Sequence, residues 1–318
     1  MADMRTNLAW FQLPNPVLTA SGCAAAGREL HQFFDVAELG AVVTKSIMMR
    51  PRSGRPTPRM AETPSGMLNS IGLQGPGIDS FIKNDLAWLA KNNARTVVSI
   101  AGGHTDEFVE LARKLRGHSA VSMLEVNISC PNVENRGQVF ANDAIASSRV
   151  IGAVRRAADP AQPVFAKLSP DVTDITLIAR ACADAGADGF SLINTLLGMV
   201  IDTEAIAPAL GGITGGLSGP AIRPVAVRCV WQVRQALPHL PILGMGGINT
   251  GLDALQFILA GASAVSVGTA VFGDPDAPVR VLRELEQALD ERGFGSVGEA
   301  IGAAHRSTRA VVTPMVPG

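Results

Sequence analysis

Eight short β-branched or apolar runs, each followed by a longer amphipathic stretch, constrain the fold of this chain more than any other feature. The runs are Pro16–Ala20, Ala41–Ser46, Thr96–Ala101, Ser122–Asn127, Pro163–Leu168, Gly189–Asn194, Pro241–Gly244 and Ala264–Gly268. Helical periodicity follows near Glu29–Glu38, Ile78–Lys91, Asp106–Leu115, Asp143–Ala157, Asp174–Ala185, Pro220–Ala236, Gly251–Leu259 and Pro275–Glu291. Strand–helix alternation repeated eight times predicts an α/β fold with a closed parallel sheet, the (β/α)8 TIM barrel. The runs are apolar on both faces, as strands are when helices cover the sheet. An open doubly wound sheet is the alternative, but no G-x-G-x-x-G opens the first helix. The 318 residues suit one barrel domain, with the barrel over about residues 15–292 and a flexible tail over about 306–318.

Composition narrows the functional classes. A hydrophobic content of 47% supports a large core, and a formal charge of −1 gives no electrostatic reason to expect nucleic acid. No run reaches the roughly 18 apolar residues of a membrane span, and the N-terminal residues lack the apolar core of a secretory signal. Cys23, Cys130, Cys182 and Cys229 lie far apart without a C-x-x-C pair, and the five histidines are scattered. That argues against a metal site or an internal iron–sulfur cluster and suits a reduced cytosolic protein. Cys182 and Cys229 fall in helical patterns, where buried thiols act as small hydrophobes.

Polar residues gather where the predicted strands end. Asn127-Ile128-Ser129-Cys130-Pro131-Asn132 follows an apolar run and places a thiol and two amides on one loop, making Cys130 the first candidate for a reacting group. Glycines follow the last two strands, at Gly244-Met245-Gly246-Gly247 and Gly268-Thr269. Barrels frequently bind phosphate there, on backbone amides that no side chain obstructs. Lys45 and Lys167 close strands, and a buried ammonium needs an anion. Asn69, Asn127, Asn132 and Asn194 come from three strand-end loops and suit a planar heterocycle carrying C=O and N–H groups. Two connections, 47–77 and 195–217, are long enough to be lids or binding loops. Arg50, Arg52, Arg55 and Arg59 make the first of them basic, as a solvated loop, a partner surface or a substrate-steering patch would be.

Over about Asn15 to Pro275 the chain resembles the class 1 dihydroorotate dehydrogenases, most closely the 1B type. The resemblance is carried by Thr19-Ala20-Ser21-Gly22, Thr44-Lys45-Ser46, Leu68-Asn69-Ser70-Ile71-Gly72-Leu73-Gln74, the Asn127–Asn132 loop, Lys167-Leu168-Ser169-Pro170, Ile193-Asn194-Thr195 and Gly215-Gly216-Leu217-Ser218-Gly219-Pro220. It implies an FMN at the C-terminal mouth of the barrel, touched by Ala20, Ser21, Lys45, Ser46, Asn127, Lys167, Ile193, Gly219, Gly246, Gly247, Gly268 and Thr269. It implies dihydroorotate against Lys45, Asn69, Ile71, Gly72, Leu73, Asn127, Asn132, Asn194 and Thr195, with Cys130 as catalytic base.

The same resemblance implies electron transfer to NAD through a second subunit bearing FAD and a [2Fe-2S] cluster, in a homodimer or heterotetramer. A fumarate-linked enzyme, or a cofactor-free barrel lyase or isomerase acting on a phosphorylated metabolite, are the alternatives. The chain departs from the family pattern at Ser99 and Gly75, where asparagines are usual. It also departs at Val133-Glu134-Asn135-Arg136-Gly137, where a Gly-Gly pair is usual.

Overall fold

A computed structural model of the chain describes residues 1–129 and 143–306. Its central sheet has eight parallel strands: β1 (Val17–Thr19), β2 (Val42–Val43), β3 (Thr96–Ile100), β4 (Met123–Asn127), β5 (Val164–Leu168), β6 (Gly189–Leu192), β7 (Ile242–Met245) and β8 (Ala264–Val267). The order β1-β8-β7-β6-β5-β4-β3-β2 runs once around the molecule, so the last open edge lies between β1 and β2. A parallel bridge between Leu18 and Ala41 closes it, supported by Gly40 N–H donating to Val17 C=O at 2.9 Å. Thr19 completes the seam with its side chain. Its Oγ1 accepts from Val43 N–H at 2.9 Å and donates to Val43 C=O at 3.2 Å. The architecture is the (β/α)8 barrel; seven of the predicted runs contain one of its strands, and β7 extends one residue beyond its run, to Met245.

The barrel interior changes character along its axis. Toward the strand N-termini, Leu18, Val43, Val97, Met123, Phe165 and Leu243 fill the barrel, and an N-terminal hairpin (Thr6–Leu8 with Phe11–Leu13) adds buried Leu8 and Leu13 to the same cluster. Toward the C-termini the buried residues turn polar: Ser99, Glu125, Asn127, Lys167, Ser191 and Ser266. A closed sheet has no free edge to accommodate this change. It is therefore built into side-chain identity alone, and the polar end faces the rim.

Two elements differ from expectation. Glu29–Glu38 forms two short 3-10 turns, Leu30–Gln32 and Val36–Glu38, because Asp35 takes an extended backbone and accepts from Ala37 N–H. That local bond competes with a continuous helix. The segment Ile78–Lys91 is helical as expected, with a π-helical stretch over Phe81–Leu86. The two long connections pair with each other in an antiparallel sheet over the rim, ordered Leu196–Gly198, Gly215–Ser218, Gly66–Asn69 and Met60–Thr63. Among the described residues no helix is long and apolar enough to cross a membrane. The expected tail over 307–318 lies outside the described residues.

The seam yields a stability test. Thr19→Val keeps the shape of the side chain but leaves the Val43 N–H without its acceptor. A buried donor without a partner costs about 1–3 kcal/mol. Urea unfolding is expected to show that loss, and an unchanged midpoint would mean that closure does not depend on the hydroxyl.

Candidate functional site

The strand C-termini and the antiparallel sheet above them enclose a cavity with two lobes. One lobe, of about 340 Å³, is lined by Ala20, Ser21, Lys167, Ile193, Gly219, Gly246, Gly247, Gly268 and Thr269. The other, of about 360 Å³, is lined by Lys45, Ser46, Asn69, Ile71, Gly72, Leu73, Asn127, Asn194 and Thr195. Lys167, Ser21, Cys23, Asn194, Thr195, Ser218 and Thr269 border both lobes, so the two are continuous. Every described residue expected to touch cofactor or substrate therefore lines one or both lobes. Cys130, Asn132 and the 133–137 segment lie outside the described residues.

The glycine lobe depends on close approach of backbones. Gly247 has φ +78°, and a Cβ there would come within 2.7 Å of the Gly219 carbonyl oxygen. Gly219 has φ +92° and is equally tight against the Gly66 Cα. Any larger residue would push the β7 loop and the antiparallel sheet apart. Thr269 and Ser218 join hydroxyls across this lobe at 2.8 Å.

In the second lobe, side chains from five strand ends form one hydrogen-bonded chain. Ser46 Oγ is its hub, 3.3 Å from Ser21 Oγ, 2.9 Å from Ser99 Oγ and accepting from Asn127 Nδ2 at 2.9 Å. Ser129 Oγ donates to Asn127 Oδ1 at 3.0 Å, and Asn194 Nδ2 donates to Ser129 Oγ at 2.6 Å. Asn69 Nδ2 reaches the Gly216 carbonyl at 3.3 Å, tying the upper sheet to itself above the rim. Asn127 has its amide nitrogen and oxygen both engaged, so its orientation is held from two sides.

Lys167 is 4% exposed and lies 3.5 Å from the fully buried Glu125 carboxylate. The anion that a buried ammonium needs is supplied here by the protein itself. The signal was present in the sequence as the single acidic residue inside the apolar run Ser122–Asn127. Ser99 and Ser129 were also missed as network members, since a serine in or after a strand carries no distinctive pattern.

The basic loop is exposed or half-buried throughout residues 50–59, and two of its arginines are hydrogen-bonded. Arg59 donates to Arg55 C=O (2.6 Å), Gln74 Oε1 (2.7 Å) and Ser53 C=O (2.8 Å), and Arg55 reaches Ser70 Oγ and Gly212 C=O. Arg59 thus ties the loop to itself and to Gln74, and Arg55 ties it to the segments flanking the upper sheet. Gly75 exchanges backbone hydrogen bonds with Arg52 at 2.9 and 3.1 Å, a role that requires no side chain. Cys182 and Cys229 are buried packing residues, as expected.

A barrel whose rim combines a glycine cradle, two strand-borne lysines and convergent amides is an enzyme scaffold for a phosphorylated or anionic ring compound. Comparison with known proteins makes this specific. A sequence profile described as dihydroorotate dehydrogenase matches residues 3–289. The chain is 51% identical over 301 residues to the dihydroorotate dehydrogenase B (NAD(+)) catalytic subunit of Pelobacter propionicus, covering 95% of this chain and 98% of that one. It is 50% identical over 301 residues to the same subunit of Geobacter sp. strain M21, with the same coverage of each. With that of Desulforudis audaxviator it shares 51% over 300 residues, covering 94% of this chain and 97% of that one. The chain belongs to the dihydroorotate dehydrogenase family.

Cys23 borders both lobes, and burial pushes its thiol up to about 11, with Lys167 and Lys45 pulling the other way. At pH 8 it is therefore almost entirely protonated, and the thiolate is the nucleophile. Alkylation of Cys23 by iodoacetamide at pH 8, followed by peptide mass spectrometry, is expected to be on the order of a hundredfold slower than for an ordinary thiol. Reaction at an ordinary rate would place this sulfur in a wetter environment.

Proposed function

We propose that this chain is a catalytic subunit that oxidises (S)-dihydroorotate to orotate in pyrimidine biosynthesis, with FMN as its bound cofactor. The observation that carries the proposal is the continuous two-lobed cavity with Lys167 at its junction, in a member of this family. The glycine lobe fits a flavin mononucleotide. A phosphate suits the side-chain-free backbone after β7 and β8, and Ser266, on the floor of that lobe, has a hydroxyl without a hydrogen-bond partner among the described residues. Ala20, Ser21, Lys45, Ser46, Asn127, Lys167, Ile193, Gly219, Gly246, Gly247, Gly268 and Thr269 would hold the cofactor. When bound, FMN would supply the hydride acceptor for the oxidation.

The other roles fall to side chains of the chain itself. Asn69, Asn127, Asn132 and Asn194 offer paired donors and acceptors matching the pyrimidine edges, with Thr195 and the Ile71–Leu73 backbone beside them. Lys45 neutralises the substrate carboxylate. The positive charge of Lys167 stabilises negative charge developing between the lobes. Cys130 removes the C5 proton, which requires its thiolate. An ordinary thiol titrates at about 8.5, so turnover is expected to rise with pH through that region. The upper antiparallel sheet keeps water from the reacting carbon.

The printed names of the relatives carry NAD(+) and the words catalytic subunit. We therefore propose NAD as the final acceptor, reached through a separate subunit bearing FAD and a [2Fe-2S] cluster. A homodimer of this chain would form the centre of the assembly, in the cytoplasm. A fumarate-linked enzyme would instead be reoxidised by fumarate without that subunit.

Purified protein is expected to be yellow and to release FMN on acid treatment, and dihydroorotate is expected to bleach the flavin band under anaerobic conditions. A colourless protein that FMN cannot reconstitute would overturn the proposal in favour of a cofactor-free lyase or isomerase. Cys130→Ala is expected to keep the flavin and lose at least about a hundredfold in the rate of flavin reduction, the lower end of a general base's contribution. Cys130→Ser is expected to retain slight activity that grows toward high pH. Stopped-flow reduction at the wild-type rate in Cys130→Ala would remove Cys130 from the mechanism.

A further inference from the structure

Glu125 is the inward-facing residue one strand step below Asn127, in a strand whose five residues are all buried. Its exposure is 0%, and among the described residues neither of its oxygens has a hydrogen-bond partner. A buried carboxylate is tolerated when it is both paired and saturated with hydrogen bonds. Glu125 is paired with the Lys167 ammonium at 3.5 Å, but it is not saturated. Ser99 stands opposite it in the β3–β4 register, yet its hydroxyl pairs with Ser46 at the rim. Ser191, opposite Lys167 in the β5–β6 register, also has a hydroxyl without a partner. Such a concentration of under-satisfied groups beneath a cavity floor is poor design for stability and calls for a functional account.

We infer that Glu125 is a positioning residue that holds the Lys167 ammonium at the junction of the lobes and sets how much of its charge reaches the ring above. The inference rests on the FMN proposal. With the carboxylate 3.5 Å away, much of the field of the ammonium is cancelled at the cavity. The cofactor ring gains negative charge on reduction, so an unopposed ammonium would favour the reduced form more strongly. The pair therefore keeps the reduction potential low while leaving donors of Lys167 available to the ring. A low potential is what an electron relay to a nicotinamide requires, because a nicotinamide accepts electrons only from a donor of comparably low potential.

The test is the two-electron midpoint potential of the FMN-loaded protein, measured against redox dyes. Glu125→Gln, which keeps the shape and removes the charge, is expected to favour reduction at least about tenfold, a positive shift of about 30 mV. Glu125→Asp, which keeps the charge, is expected to fall between that variant and wild type, and it serves as the readout if Glu125→Gln does not fold. In a Lys167→Met background, Glu125→Gln is expected to move the potential far less. A variant that binds FMN with an unchanged potential, or an equal shift in both backgrounds, would overturn the inference while leaving the FMN proposal intact. Wild-type protein that takes up no FMN would instead overturn the proposal on which it rests.

Discussion

Closure of the sheet is the constraint on which the rest of the structure depends. Once Thr19 and Leu18 join β1 to the β2 side, all eight strand C-termini are committed to a single rim. Residues separated by more than 200 positions, such as Ser21 and Thr269, then border the same space. The closed interior must also be filled, and the chain divides that task. The lower half is packed with large apolar side chains and the hairpin residues Leu8 and Leu13. The upper half holds polar side chains whose hydrogen bonds run toward the rim. The site is therefore the top layer of the core, and its rigidity derives from the same packing that stabilises the fold.

That division explains what could be read from sequence. The barrel strands were legible because both of their faces are buried, so each appears as an apolar run of the right length. The upper sheet was not. Met60–Thr63 alternates between exposed and half-buried residues, and its neighbour Gly66–Asn69 pairs with Gly215–Ser218 across about 150 positions. Pairing over such distances leaves no local pattern, and glycine-rich strands lack the β-branched signature. The long connections were recognised as functional from their length, but the sheet they build could not be anticipated. Glu29–Glu38 failed for a local reason, since the Asp35 side chain terminates the helical ladder.

Within the site, the residues legible in sequence were those whose chemistry is out of place in a strand or at its end: the two lysines, the asparagines and the glycine pairs. Their supports were harder to see. Ser46 looked like one more motif residue, yet it is the hub joining Ser21, Ser99 and Asn127. Ser99 bonds to Ser46 and so orients Asn127 at one remove. Glu125 was hidden by its neighbours, because an acidic residue in an apolar run is easily passed over when the run itself is the signal.

The buried pair also bears on why this barrel uses lysine at the junction of its lobes. Arginine would bind a carboxylate through two parallel bonds and give up much of its donor capacity to it. Lysine, a compact charge with three donors on a flexible stem, can face Glu125 and still present donors to the cavity. At 3.5 Å the contact is longer than a tight charge-assisted bond, so the carboxylate does not take up all of the ammonium's donors. A tighter pair would withhold the ammonium's charge, and an absent carboxylate would leave it unopposed. The intermediate geometry is the one in which a lysine can offer donors to the cavity above it while remaining anchored from below.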